Sequence, residues 1–207
     1  MLPSLLPMLA VPAEPFDSAG YSFEIKWDGV RVLAALDDSA WRLWGRGGAD
    51  YTVRYPELSV LRRWPAGTLV DGELVALRNG LPCLAELLQR HFLTNPWRVG
   101  QASRWCPVHY VVFDLLYHAG RCLLREPLAR RRELLEELCT TAPVPGVVFS
   151  AAVVGSGKAL YQAAVAQGHE GVVAKALTAS YRPGRRSQAW RKIKPRPGRA
   201  ARGRSGP

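Results

Sequence analysis

Two short runs near the amino terminus, residues 21–27 and 30–36, are dense in aromatic and β-branched side chains, which suits half-buried strands. Between them stands Asp28-Gly29, a dipeptide favoured in two-residue turns, so the three pieces predict a tight hairpin. Residues 41–44 alternate as a further strand and run into Gly45-Arg46-Gly47-Gly48, which leaves Arg46 on open backbone. Residues 56–64 read as a short helix with proline in its first turn. Residues 68–78 follow as a strand that contains Asp71-Gly72-Glu73 and closes at the hairpin dipeptide Asn79-Gly80.

Helical spacing returns at 84–92. The most apolar run, 108–117, is short and rich in β-branched residues, which predicts a buried strand with Asp114 inside it. Residues 127–139 form the clearest amphipathic helix, with leucines at 128, 134, 135 and 138 and a charged opposite face. A strand at 147–150, a helix at 156–167 capped by Ser156 and stopped by Gly168, and strands at 170–175 and 189–194 complete the pattern. Strands outnumber helices and hairpin signals recur, which predicts an α+β domain built on largely antiparallel sheets.

The chain, 207 residues long, can bury one sizeable core or two small ones. Its four cysteines, at 83, 106, 122 and 139, lack metal-ligand spacing, which argues against a zinc site and a disulfide framework and for a reducing compartment. The apolar start is broken by prolines at 3, 7 and 12 and lacks an early basic residue, unlike a secretory leader. With no run of membrane-spanning length, a cytoplasmic protein that makes no use of a membrane is expected. The net charge is +11, and ten basic residues with no acid lie between Arg182 and the end, leaving about +1 for everything before. A basic block beside a nearly neutral domain suits a polyanion such as nucleic acid or nucleotide phosphate. Residues 195–207, rich in Pro, Gly and Arg, read as a disordered tail.

The chain has only five lysines, at 26, 158, 175, 192 and 194, while arginine carries most of the positive charge. Lysine can lose its proton and attack; arginine cannot. In order along the chain stand Lys26-Trp27-Asp28-Gly29-Val30-Arg31, Asp71-Gly72-Glu73, Val112-Phe113-Asp114-Leu115-Leu116-Tyr117, Glu170-Gly171-Val172-Val173-Ala174-Lys175 and Trp190-Arg191-Lys192-Ile193-Lys194. This series resembles the nucleotidyltransferase motifs of ATP-dependent DNA ligases. Pro7-Met8-Leu9-Ala10 and residues 180–187 extend the resemblance towards the bacterial ligases of end-joining repair, so that it covers residues 7–194.

The resemblance implies a nucleotidyltransferase domain over residues 1–194, with the ATP site between two antiparallel sheets. Lys26 would attack the α-phosphate of ATP and retain AMP. Glu24, Arg31 and Arg46 match positions at the nucleotide or nick phosphate, Glu73 the acid near ribose and metal, and Phe113 the ring that stacks on adenine. Glu170 matches a metal-binding acid, with Mg²⁺ or Mn²⁺ as the ion. Lys192 and Lys194 match the pair that grips the α-phosphate, and Lys175 and Arg186 are further nucleotide-binding positions. Phosphoryl transfer asks for such an inventory, because it is catalysed by positioning and by neutralising charge. The partner implied is nicked or broken double-stranded DNA. Relatives continue into an OB-fold domain, for which the residues after Lys194 are too few, so that domain or an end-joining protein would act in trans. Two other readings share part of this pattern: an RNA ligase or capping-type guanylyltransferase, and a non-catalytic DNA-binding accessory protein. Phe113, in so apolar a run, is also what a plain core would contain.

Overall fold

The computed structural model describes residues 2–195, so the tail reading for 195–207 lies, Pro195 apart, outside the described residues. Strands are numbered in chain order. The first sheet runs in the order β1 (Leu9–Pro12), β13 (Arg186–Ile193), β12 (Val172–Ala176), β2 (Ser18–Ile25) and β11 (Ala152–Gly155). The second runs β10 (Val147–Phe149), β8 (His109–His118), β5 (Thr68–Val75), β3 (Val30–Leu36) and β4 (Trp41–Gly45), with β9 (Arg121–Cys122) pairing β8. A small hairpin joins β6 (Leu77–Arg78) to β7 (Leu81–Pro82). The helices are α1 (Leu84–His91), α2 (Pro96–Trp105), α3 (Leu128–Thr141) and α4 (Gly157–Ala166). Pairing is antiparallel except for β1 on β13 and β10 on β8, so the expected α+β class on largely antiparallel sheets is what the chain adopts.

The second sheet is covered on both faces, and β3 shows why its sequence is almost wholly apolar. Val32, Ala34 and Leu36 join an outer cluster with Tyr55, Leu58, Leu61, Trp64 and Leu87, while Leu33 and Ala35 face Trp44, Phe113, Tyr181 and Trp190 between the sheets. A third cluster packs α4 behind the first sheet through Phe23, Ala164, Val172 and Ile193. No helix among the described residues is long and apolar enough to cross a membrane.

Three expectations need correction. The Asp28-Gly29 hairpin does not form: β2 pairs with β11 and β12, β3 pairs with β4 and β5, and residues 26–29 carry the chain from one sheet to the other. Gly29 is required there by space rather than by turn geometry, since a Cβ would run into the carbonyl oxygen of Leu74 on β5. Residues 56–63 are wound as a 3₁₀ segment, not an α-helix. Ser156 makes no side-chain cap; Asp17 Oδ1 accepts the Lys158 amide at 2.9 Å in its place. The Asn79-Gly80 turn forms as expected, with φ of 52° and 81°.

The pattern also hid elements. Helix α2 carries an N-terminal signature, Asn95 accepting from the Arg98 amide at 3.1 Å with proline next, but buries only Val99 and Ala102, too little for a periodic stripe. The proline-broken start became β1, an edge strand where Pro12 needs no donor.

Candidate active site

Lys26 follows β2 at the crossover, and its amide donates to the Gly171 carbonyl at 2.9 Å, which ties the lysine to the turn that enters β12. That turn also presents Glu170. The Glu170 carboxylate takes the Lys26 ammonium on one oxygen and the Lys194 ammonium on the other. Burial pushes the Glu170 pKa up, but the two lysines outweigh it and hold the group below its usual range. Gly29→Ala should therefore do more than destabilise by about 1–3 kcal/mol through overpacking. By pushing the crossover off β5 it should also displace Lys26 from Glu170, and the melting temperature should fall by roughly 2–12 °C.

A cleft between the sheets is lined by Glu24, Lys26, Arg31, Arg46, Glu73, Phe113, Lys175, Arg186 and Lys192, nine of the eleven positions singled out in the sequence. The other two, Glu170 and Lys194, reach it through the Lys26 ion pair. Arg46 stands in the loop after β4, held by the Gly45 amide to the Ala49 carbonyl at 2.9 Å. Arg186 opens β13 and donates to the Ala10 carbonyl at 2.7 Å. Lys192 is pushed below the usual lysine range by burial and by the cations Arg186, Lys194, Lys26 and Arg46.

On the floor, Arg31 forms a bidentate pair with Asp71 at 2.5 Å for both bonds, and the Tyr181 hydroxyl donates to the same carboxylate at 2.5 Å. The Arg31 guanidinium lies 4.4 Å from the Phe113 ring centre, and the Lys175 ammonium lies 4.0 Å from it. The Phe113 ring is thus already engaged by two cations. Glu24, 2 % exposed, stands 2.9 Å from the Lys175 nitrogen. Burial and the nearby Arg132 push the Lys175 pKa down and Glu24 raises it, the balance being about 8.

Glu73 differs from the other acids. It is half-buried on β5 and has no hydrogen-bond or ion-pair partner among the described residues, and burial, assisted by Asp71 and Glu170 against Arg31 and Lys26, raises its pKa to about 7. A carboxylate short of compensating charge beside Glu170 suits a hard divalent cation. No group of three His, Cys, Asp or Glu is poised around a metal among the described residues. Mg²⁺ does not need one, since it is commonly held by one or two carboxylates plus substrate phosphates.

Sequence reading missed the supports of this site. The pattern gives α3 a charged face opposite its leucines and singles out neither Arg131 nor Arg132, yet both are buried. The signal was present, because 128, 131, 132, 135 and 138 form one helical stripe and only the charge at its centre disguised it. Asp71 and Tyr181 lay within quoted motifs, but their joint hold on Arg31 spans 110 residues and has no local signature.

Facing sheets with a lysine at their crossover are the nucleotidyltransferase fold of ligase adenylation domains. It matches mycobacterial DNA ligase D complexed with ATP (TM-score 0.76, 34% identity, 92% of this chain and 60% of that one) and the ligase domain of Mycobacterium tuberculosis LigD (TM-score 0.78, 33% identity, the same shares). The family model of the ATP dependent DNA ligase domain matches residues 7–194, and the chain belongs to that family. In sequence it is 36% identical over 198 residues to the multifunctional non-homologous end joining DNA repair protein LigD of Mycobacterium tuberculosis, covering 92% of this chain and 24% of that protein. It is likewise 36% identical over 203 residues to a probable DNA ligase of Anaeromyxobacter, covering 94% of this chain and 38% of that one. The chain thus spans between about a quarter and two fifths of the length of these curated relatives.

Proposed function

We propose that this chain forms a covalent lysyl-AMP from ATP at Lys26 and passes the AMP to the 5′-phosphate of a DNA break, so that a 3′-hydroxyl can seal it during end-joining repair in the cytoplasm. The observation that carries this is the Lys26–Glu170–Lys194 chain at the rim of a cleft that gathers the remaining cations and acids. In the first step the Lys26 nitrogen bonds to the α-phosphorus and the bond to the bridging oxygen breaks, with pyrophosphate leaving. Lys26 must attack as a free amine, so its ammonium leaves Glu170 and gives one proton to water before attack and a second as the N–P bond forms; Lys194, already on the other oxygen, keeps that carboxylate compensated. Lys192, Lys194 and Arg186 neutralise phosphate charge, which is where most of the catalysis of phosphoryl transfer lies. Glu73 and Glu170 would hold Mg²⁺ or Mn²⁺, which supplies further charge neutralisation when bound.

The cleft floor offers polar groups to a purine base. Glu24 offers an acceptor for an exocyclic amine, and the Lys175 ammonium offers a donor to a ring nitrogen. Guanine also carries an exocyclic amine and ring-nitrogen acceptors, so labelling rather than this pair of groups separates ATP from the GTP of a guanylyltransferase. The test is to incubate the purified chain with α-labelled ATP or GTP and a divalent cation. Acid-labile label from ATP is the expected result; label from GTP alone would favour the capping-type reading, and none from either would leave only DNA binding. Glu73→Gln and Glu170→Gln should each slow label transfer by at least ~10²-fold, the scale of one lost electrostatic contributor. Unchanged rates would make these acids structural.

A further inference from the structure

Helix α3 lies outside the cleft, yet the buried Arg132 reaches from it to the cleft floor. Its Nη1 donates to Glu24 Oε1 at 2.9 Å and to the Phe113 carbonyl at 3.4 Å, and its Nη2 donates to the Ser150 carbonyl at 2.7 Å. Its guanidinium also lies 4.8 Å from the Phe149 ring centre. One side chain thus joins β2 of the first sheet to β8 and β10 of the second. Glu24 Oε1 is the same oxygen that the Lys175 nitrogen approaches. The Lys175 ammonium, nearly fully buried, is ion-paired with that oxygen at 2.9 Å but poorly aligned for a hydrogen bond to it, and it has no other acceptor among the described residues.

We infer that Arg132 is a positioning and specificity-determining residue for the nucleotide base: by making the aligned hydrogen bond to Glu24 Oε1 it keeps Lys175 from doing so, and leaves the ion-paired ammonium with protons to direct to the ligand. This rests on the reading that a purine occupies the cleft floor. The charges facing Lys175 are Glu24 on β2, Arg132 on α3, Asp114 on β8 and Arg31 on β3, which shares the Phe113 and Trp190 rings with it. Asp114 is itself taken by Arg131. Glu24 therefore divides between one permanent cation and one that can lose its proton. Without Arg132, Lys175 is the cation left to satisfy Glu24, and its ammonium form is stabilised while its protons are drawn to the carboxylate.

Adenosine isolates this effect, because it has no phosphate to engage Lys26, Lys192 or Lys194. Calorimetric titration of the full chain with adenosine between pH 6.5 and 10 should show affinity falling by roughly five- to tenfold as pH passes about 8, when a charge-assisted hydrogen bond becomes a neutral one. In Arg132→Gln the affinity at pH 7 should drop by a comparable factor, and the transition should move up by about 1 pH unit, the effect of removing a close like charge. Arg132→Lys, which keeps the charge and loses the fork, should weaken binding and leave the transition in place. A merely structural strut would change melting temperature and affinity without moving the transition. An Arg132→Gln transition at the wild-type pH overturns the inference, and so does one that moves equally in Arg132→Lys. Should Arg132→Gln not fold, a shifted transition in Arg132→Lys alone overturns it and an unshifted one with weakened binding supports it. Wild-type protein that takes label from ATP but binds adenosine with no dependence on pH refutes the role of Lys175 while leaving the proposed function intact.

Discussion

Lys26→Ala should reduce covalent label from α-labelled ATP to background, while the circular dichroism spectrum stays that of the wild type. No second amine can take over the attack. Lys192 is held within β13, Lys194 just beyond it is on the other oxygen of Glu170, and Lys175 is buried on the floor beside Glu24. Losing the nucleophile removes the bond-forming atom itself, which no amount of charge neutralisation replaces. Stability should change little, because the Lys26–Glu170 pair is partly exposed and Lys194 remains on the carboxylate. An adduct of undiminished yield in this variant would place the nucleophile elsewhere and sink the assignment. Label retained at low yield and mapped by peptide mass to Lys192 or Lys194 would do the same.

The largest effect on stability is expected at Asp114→Ala. Asp114 and Arg131 are both fully buried, with Nε donating at 2.7 Å and Nη2 at 2.9 Å to the two carboxylate oxygens. Removing the acid strands a guanidinium away from water, which costs about 3–5 kcal/mol. For a domain of this size that lowers the melting temperature by roughly 6–20 °C. The loss should spread to the site, because Arg131 also donates to the Ala179 carbonyl, and the segment beyond it leads to Tyr181 on Asp71. Converting both partners together, Asp114→Leu with Arg131→Met, should recover most of the stability, since a well-packed apolar pair can replace a buried ion pair. A melt of Asp114→Ala within about 2 °C of wild type would mean that the buried charge is compensated by something other than this pair.

Local sequence carried a good deal of this protein. Aromatic and β-branched runs marked β2, β3, β5, β8 and β12, since a strand needs only a side chain that suits a pleated, half-buried surface. Five lysines among so many arginines singled out positions where an amine is wanted, and the ordered motifs carried the resemblance to the ligase family. Helix α3 was visible in its leucines, and the Asn79-Gly80 turn in its dipeptide, because both rest on contacts a few residues apart.

What local sequence left undecided was where each piece goes. Asp28-Gly29 reads as a hairpin turn, but the partners of β2 and β3 are chosen by β12, about 150 residues on, and by β5, so the dipeptide became a crossover and Lys26 was set between two sheets. Glu170 meets Lys26 across 144 residues, and Arg132 meets Glu24 across 108. Such pairings have no periodicity in the chain. They exist because the packed sheets and helix bring distant charges together, the Arg132–Glu24 pair away from water, and that packing is something no window of sequence contains. Arginine in the middle of a helical stripe reads as solvent-facing until the carboxylate that neutralises it arrives from another strand, and only the tertiary structure supplies that strand.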